Sequence, residues 1–283
     1  MRKPYLKTVV IIFLLSSCSL NKLVIRQTGH LLDYGVEALF EESDLILAEQ
    51  ALASDIKLLE GMIKGDPENR HLLLLTTKAL AGYALGFAED DTPERAKVFY
   101  IRARDYGFRA LKLSLENKMN LDTFKTVIQN KGKDEIEGLF WTAFAWAGWI
   151  NLSLDNPQSL IDLPYAEIMM QRVLDMDETY FQASAHLFFG TLWGMKPRIL
   201  GGDPEKARAH FERNLEITGH KFLLSYIYYA KYVAVKTLDE TLFDELLNKV
   251  EETPADILPE YQLLNVIAKK KAGYLIKDKE NLF

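Results

Sequence analysis

Hydrophobic residues recur at helical spacing along almost the whole chain from residue 43 onward. No segment sustains the two-residue alternation that is typical of a half-buried strand. Short breaks rich in Gly, Asp, Asn and Pro separate the helical segments, at 65–67, 91–93, 130–133, 155–157, 201–204 and 253–254. We therefore predict an all-α fold in which residues 43–283 form a single helical domain of about ten or eleven helices.

A recurring small–large–small spacing within these helices is typical of the second helix of a tetratricopeptide repeat. Asn214 departs from the pattern, because it stands where a small residue usually packs. Positions 55 and 96 are 41 residues apart, as are positions 166 and 207. This spacing is roughly seven residues longer than the usual period of about 34, which indicates a duplicated pair of hairpins with enlarged loops. The four copies are Ala96-Tyr100-Ala103, Ala207-Phe211-Asn214, Ala166-Met170-Val173 and Asp55-Leu59-Met62.

Helical hairpins that stack in this way bury one face against the next hairpin and form a superhelix with a concave groove. We predict tetratricopeptide-like hairpins stacked as a right-handed superhelix. Three C-terminal helices, over 221–235, 239–251 and 260–276, are expected to cap or extend the stack. The run Lys269–Lys271 is predicted to be a solvated helix end.

Residues 188–217 predict a helix, a glycine-containing loop and a second helix. Asp203 is a favourable N-cap, and Pro204 suits the first helical position. The extra residues of the duplicated unit fall in this loop, which makes it a candidate docking surface or channel mouth. A structural loop is favoured over an anion site, although a helix N-terminus follows it. The candidate residues are Lys196, Pro197, Arg198, Gly201, Gly202 and Asp203.

Aromatic residues are dense over 139–150 and again before the glycine loop. Since these rings occupy more than one helix face, the first helix must be buried on several sides. A central core helix is the simpler interpretation. The alternative is that some rings line an apolar ligand cavity or channel, because pockets favour aromatic walls. The candidate lining residues are Trp141, Phe144, Trp146, Trp149, Phe188 and Trp193.

The N-terminus has the pattern of a secretory signal, with a basic region followed by the short apolar run Thr8–Leu15. The sequence Leu15-Ser16-Ser17-Cys18 resembles a bacterial lipobox, so residues 1–17 are predicted to be a signal peptide and Cys18 an acylated N-terminus. Residues 18–42 would form a tether and a short docking helix. Ser19 favours the outer membrane over the inner membrane, with the protein facing the periplasm.

The net charge of −6 and the sequence pI of about 5.5 argue against nucleic acid as a partner. The five histidines form no close pair with metal-ligand spacing. Nucleotide-binding and nucleophile-elbow motifs are also missing from the sequence. The sequence therefore predicts a non-enzymatic protein without a metal site or cofactor.

Three segments, Pro93–Leu111, Leu139–Ser153 and Gly194–Glu212, together with the lipobox, resemble the T-component family of tripartite ATP-independent periplasmic (TRAP) transporters. The resemblance implies a lipoprotein with cryptic tetratricopeptide-like repeats that forms homotrimers with a pore through each subunit. It also implies docking of the transporter's solute-binding protein and passage of an apolar or organic-acid ligand. The alternative is a general envelope scaffold that holds peptides or proteins in a repeat groove.

Overall fold

The computed structural model describes residues 31–113, 120–196 and 198–283, together with Lys22 and Ile25. The predicted signal peptide, Cys18 and Pro197 lie outside the described residues. Within the described residues the chain is helical and contains no strand, which confirms the all-α fold class.

Fourteen α-helices follow one another along the described chain. A π-helical turn, Ala84–Ala88, continues α3, and a second one, Ala230–Ala234, joins α10 to α11. The helices are α1 (31–40), α2 (Leu45–Gly65), α3 (Arg70–Tyr83), α4 (Pro93–Ala110), α5 (Leu121–Gln129), α6 (Ile136–Asn151), α7 (Pro157–Met176), α8 (Tyr180–Met195), α9 (Pro204–Ile217), α10 (Leu224–Tyr229), α11 (Val235–Thr237), α12 (Glu240–Glu252), α13 (Gln262–Lys277) and α14 (Lys279–Leu282).

The helices begin where the sequence supplies capping groups. The Asp203 carboxylate accepts hydrogen bonds from the backbone N–H groups of Glu205 and Lys206, both at 3.1 Å. Pro204 takes the first helical position, where a missing N–H costs little. Side chains cap further helices in the same way, and these are Asp44, Asn69, Asn120, Asn156 and Asp239.

Consecutive helices pack as hairpins, in the pairs α3–α4, α6–α7 and α8–α9. The residues of three copies of the small–large–small pattern, on α4, α7 and α9, are buried in these contacts, with Tyr100 and Phe211 at most 1% exposed. The fourth copy lies on α2, where Leu59 is buried but the other two residues, Asp55 and Met62, are only partly buried. Gly190 lets α8 approach α9 closely, because a Cβ at this position would lie 2.7 Å from Cζ of Phe211. In the three copies on α4, α7 and α9, the pattern residues lie at contacts between neighbouring helices.

The prediction for the lysine run at 269–271 was wrong. Lys271 is 6% exposed, and its ammonium group lies 2.7 Å from Glu89 Oε1 and 2.7 Å from Asp90 Oδ2. Burial alone would lower the pKa of Lys271, but Glu89 and Asp90 raise it above the usual value. The reason for the error is tertiary, because α13 packs against the acidic segment that follows α3, and sequence periodicity does not show this contact.

One helix in the described part of the chain, Arg70–Ala88, is long and apolar enough to cross a membrane. It comprises α3 and the π turn that continues it. Since 83% of its apolar window is buried inside the protein, it has the character of a core helix. A single helix of this kind is weak evidence for a membrane span.

Candidate functional site

An elongated apolar cavity of about 260 Å³ lies among α1 to α4, α6 to α8, α10 and α13. Helix α6 contributes one continuous face to its wall. At about 1.5 Å per residue, the distance along the axis from Phe140 to Asn151 is roughly 16 Å. The α6 residues that line the cavity include Phe140, Trp141, Phe144, Ala147, Gly148 and Asn151.

Helix α8 lines the same cavity from Phe181 to Met195. The Phe181 ring lies 4.7 Å from the Trp141 ring, between ring centroids, near the start of both helices. At the other end, Gly194 packs against Tyr232, and the Tyr232 hydroxyl donates to Asn151 Oδ1 at 3.0 Å. Helices α6 and α8 therefore run in the same direction along the cavity.

The predicted aromatic residues divide into two groups in the structure. Trp141, Phe144 and Phe188 line the cavity. Trp146 is 3% exposed and packs between Phe108 and Tyr165 on another face of α6, where its indole N–H donates to Asp162 Oδ2 at 3.1 Å. Sequence reasoning found the helix that carries the wall but could not separate its cavity face from its packing face.

Two further candidate residues also lie away from the cavity. Trp149 is half-buried against the hydrophobic core. Trp193 lies beneath Lys206, whose Nζ atom is 4.5 Å from the centre of the indole ring. Lys206 lies in the first turn of α9, and the attraction between its cation and the aromatic face stabilises the contact with Trp193 of α8.

The candidate loop residues that the structure describes also lie outside the cavity lining. The Lys196 ammonium group lies 5.8 Å from the Trp193 ring, and Asp203 caps α9. Gly201 has a φ of +87°, a conformation that favours glycine. Met195 is the last α8 residue that lines the cavity, so the loop begins directly beyond that wall. Arg198 and Ile199 are exposed, and Ile199 is 91% exposed.

Helix α1, which was predicted only as a docking helix, forms part of the cavity wall. Leu32, Val36, Leu39 and Phe40 are partly buried, pack on the body and line the cavity. Leu31 also lines the cavity but is 64% exposed. The helical spacing of the four partly buried residues places them on one face of α1. The sequence held no indication that this face would cover an internal space.

Five rings cluster around Phe181 at one end of the cavity, which we call the aromatic end, and all of them except Tyr261 line the cavity. Their members are Phe40, Phe140, Trp141, Phe181 and Tyr261. The indole N–H of Trp141 is buried and meets no acceptor with hydrogen-bond geometry among the described residues. Burial raises the pKa of Tyr180, while the nearby Trp141 indole acts in the opposite direction. The Tyr180 hydroxyl is therefore close to the indole, although the two groups do not meet hydrogen-bond geometry.

The opposite end of the cavity, which we call the tyrosine end, contains Tyr100, Tyr228 and Tyr232 beside Glu89. The Tyr100 hydroxyl donates to Glu89 Oε2 at 2.7 Å. Burial is the main cause that raises the pKa of both Tyr100 and Tyr228 well above the usual value, and the charge of Glu89 adds to it. Tyr100 and Tyr228 are therefore neutral. The residues that line the cavity between its two ends are mainly apolar.

Two histidines that are distant in sequence meet outside the cavity. His186 Nδ1 and His210 Nδ1 are 3.0 Å apart, and His186 Nε2 lies 3.4 Å from Glu178. Burial lowers the pKa of His210 to about 4 and, against the opposing effect of Glu178, also lowers that of His186. Within the described residues, no three His, Cys, Asp or Glu side chains are arranged to hold a metal ion.

A ligand that fitted a wall of this composition would be held by removal of apolar surface from water and by dispersion contacts. The fold and the cavity define an all-α protein built around an elongated apolar space. The model of the family described as TRAP transporter T-component matches residues 41–283, and the chain belongs to this family. The family that was predicted from the three sequence segments is thereby confirmed.

A protein of Treponema pallidum (strain Nichols), described as uncharacterized, is 22% identical to this chain over 278 residues. The match covers 90% of this chain and 85% of that protein. Family membership makes the chain a component of a TRAP transporter, associated with other transporter subunits in the periplasm or cell envelope.

Proposed function

We propose that the chain is an accessory subunit that docks the transporter's solute-binding protein and passes a small apolar or organic-acid ligand through its cavity. It acts without catalysing a reaction. The observation that carries the proposal is the elongated cavity between the aromatic end and the tyrosine end. Its wall, formed along α6 and α8, suits an apolar chain or ring system better than a charged solute.

The proposal includes a lipid anchor at Cys18, added after residues 1–17 are removed. The helical body then faces the periplasm, with the outer membrane favoured over the inner one. The body is a stack of tetratricopeptide-like hairpins and assembles as a homotrimer in which each subunit has its own cavity. These features follow from the lipobox and from the family resemblance.

We propose the loop from residue 196 to 203 as the docking surface. Ile199 supports this choice, because a 91% exposed isoleucine beside the exposed Arg198 offers apolar contact area to a partner. The loop directly follows the end of α8, so a protein bound there is close to the tyrosine end of the cavity.

Size-exclusion chromatography of the purified chain with the solute-binding protein of the same transporter tests the docking proposal. We expect the two to elute together and Ile199→Asp to weaken the complex. Leu160→Asp is the matched control, because Leu160 is also exposed, at 59%, but lies on α7. Separate elution of the wild-type chain, with capture of unrelated peptides, would favour the general envelope scaffold.

A further inference from the structure

The first turn of α8 is left-handed, although none of its residues is glycine. Phe181, Gln182 and Ala183 have φ values of 44°, 56° and 52°. This conformation costs roughly 1–2 kcal/mol for each residue with a side chain. Such a turn persists only where surrounding contacts hold it in place.

Each of the three carbonyl groups in this turn receives a side-chain hydrogen bond. Ser184 Oγ donates to the Phe181 oxygen at 2.6 Å. The Asn214 amide donates to the Gln182 oxygen at 2.8 Å and to the Ala183 oxygen at 2.9 Å. Asn214 is fully buried on α9 and accepts a hydrogen bond from the Ser225 hydroxyl. Both N–H groups and the oxygen of its amide are therefore used.

The left-handed turn decides where the Phe181 side chain points. Reversal of the sign of φ moves a side chain to the other side of the local backbone. In the observed turn, the Phe181 ring contacts the rings of Trp141, Phe140 and Tyr261, with centroids 4.7, 5.3 and 5.6 Å away. It also faces Phe40 of α1 at 6.0 Å. Phe181 thus fills the centre of the aromatic end.

We infer that Asn214 is a positioning residue that holds Phe181 across the aromatic end, and that Phe181 sets the largest apolar ligand which the cavity admits. This inference rests on the proposed passage of an apolar ligand. It also gives a physical reason for the polar residue at position 214. A small residue there would pack in a repeat but would leave the Gln182 and Ala183 carbonyl groups without their side-chain donor.

The test compares two neutral probes, compact N-phenyl-1-naphthylamine and the longer 1,6-diphenyl-1,3,5-hexatriene. Dissociation constants for the purified chain are measured by fluorescence titration. We expect Phe181→Ala to favour the longer probe by roughly tenfold over the compact one, because it removes a ring from the wall. Asn214→Ala should shift this ratio in the same direction, and the double variant should add little to either single change.

Asn265→Ala is the matched control. Asn265 is also fully buried, and its amide donates to the Lys221 and Ala255 carbonyl oxygens at 3.0 Å, away from the left-handed turn. It should lower stability but leave the ratio of the two dissociation constants unchanged. An equal shift of the ratio in Asn265→Ala would overturn the assignment, as would an unchanged ratio in either Asn214→Ala or Phe181→Ala.

If Asn214→Ala does not fold, a second variant tests whether Asn214 positions Phe181. Ser225→Ala removes the hydrogen bond that orients the Asn214 amide, and we expect a smaller shift of the ratio in the same direction. An unchanged ratio in that variant contradicts the inference. Failure of the wild-type chain to bind either probe refutes the proposed apolar ligand itself. The two failures are therefore distinguishable.

Discussion

The ammonium group of Lys271 lies 2.7 Å from the Glu89 carboxylate, although 182 positions separate the two residues in sequence. Asp90 shares the same ammonium group at 2.7 Å. The contact joins α13 to the segment after α3, beside the tyrosine end of the cavity. Its depth distinguishes it from the surface ion pairs of the chain, because Lys271 is only 6% exposed.

Lys271→Ala should lower the free energy of unfolding by about 1.5–3 kcal/mol, because the partly exposed Glu89 and Asp90 carboxylates lose hydrogen bonds from a buried cation. Lys270→Ala is the control, since Lys270 pairs with the half-exposed Asp91 at 3.2 Å and should contribute less than about 1 kcal/mol. Urea unfolding measures both variants. Equal losses would show that the Lys271 pair is no more important than a surface pair.

Gly82→Trp should block the cavity and leave the fold intact. Gly82 lies on the cavity face of α3, and a Cβ there would meet no atom within 4 Å. We expect a loss of at least roughly tenfold in affinity for N-phenyl-1-naphthylamine, since the indole would compete for the same space. Gly61→Trp is the control, because Gly61 also has open space but lies exposed on α2. Fluorescence titration compares them, and unchanged probe affinity in Gly82→Trp would place the probe elsewhere.

Alanine at Gly190 should destabilise the protein by about 1–3 kcal/mol, because its Cβ would overlap the Phe211 ring. Alanine at Gly273 should have the opposite effect and stabilise α13 by up to about 1 kcal/mol, because its Cβ meets no atom within 4 Å. Thermal unfolding gives both changes. A neutral Gly190→Ala would mean that α8 and α9 separate without a penalty.

Stability should fall as the pH decreases from about 6.5 to about 4. The pKa of His210 is lowered to about 4 in the folded chain, mainly by burial and also by His186. The unfolded chain binds a proton near the usual pKa of about 6.5, so acidification favours unfolding. Because His210 is only partly buried, screening by solvent limits this effect to on the order of 2 kcal/mol. The midpoint of urea unfolding, measured between pH 7.5 and pH 4, shows this trend.

His210→Phe should reduce the pH dependence, since a phenyl ring keeps the stacking on Phe189 but does not bind a proton. His220→Asn is the control. His220 lies outside the His186–His210 pair and has a positive φ of 62°, which asparagine tolerates. If the two variants behave alike, the His186–His210 pair is not the source of the acid sensitivity.

The sequence pattern was sufficient for the fold class and for the start of α9. Asp203 and Pro204 predicted the start of α9 because capping depends on a few neighbouring residues. The wall of the cavity was predicted only in part, because it depends on which face of α6 meets empty space. Trp141 and Trp146 are both tryptophans on α6, and their neighbours in the sequence are of similar kinds. Only Trp141 lines the cavity.

The left-handed turn at Phe181 had no local signal, because its residues are not glycine and their partner, Asn214, is 32 positions from Gln182. The one clue was Asn214 itself, which departs from the repeat pattern. A polar residue at a core position implies a buried polar partner, and that partner was visible only in three dimensions. The burial of Lys271 was missed for the same reason.

The packing of Ile267 against Gly86 joins the last long helix to the first helical hairpin, where a Cβ on Gly86 would lie 2.8 Å from the isoleucine side chain. Linear repeat arrays have two free ends and unfold progressively from either one. Here α13 packs against the segment that continues α3, so neither of these two elements can unfold without losing its contact with the other. We therefore expect one cooperative transition, and slower folding than in an open array of the same length, because the closing contacts span most of the chain.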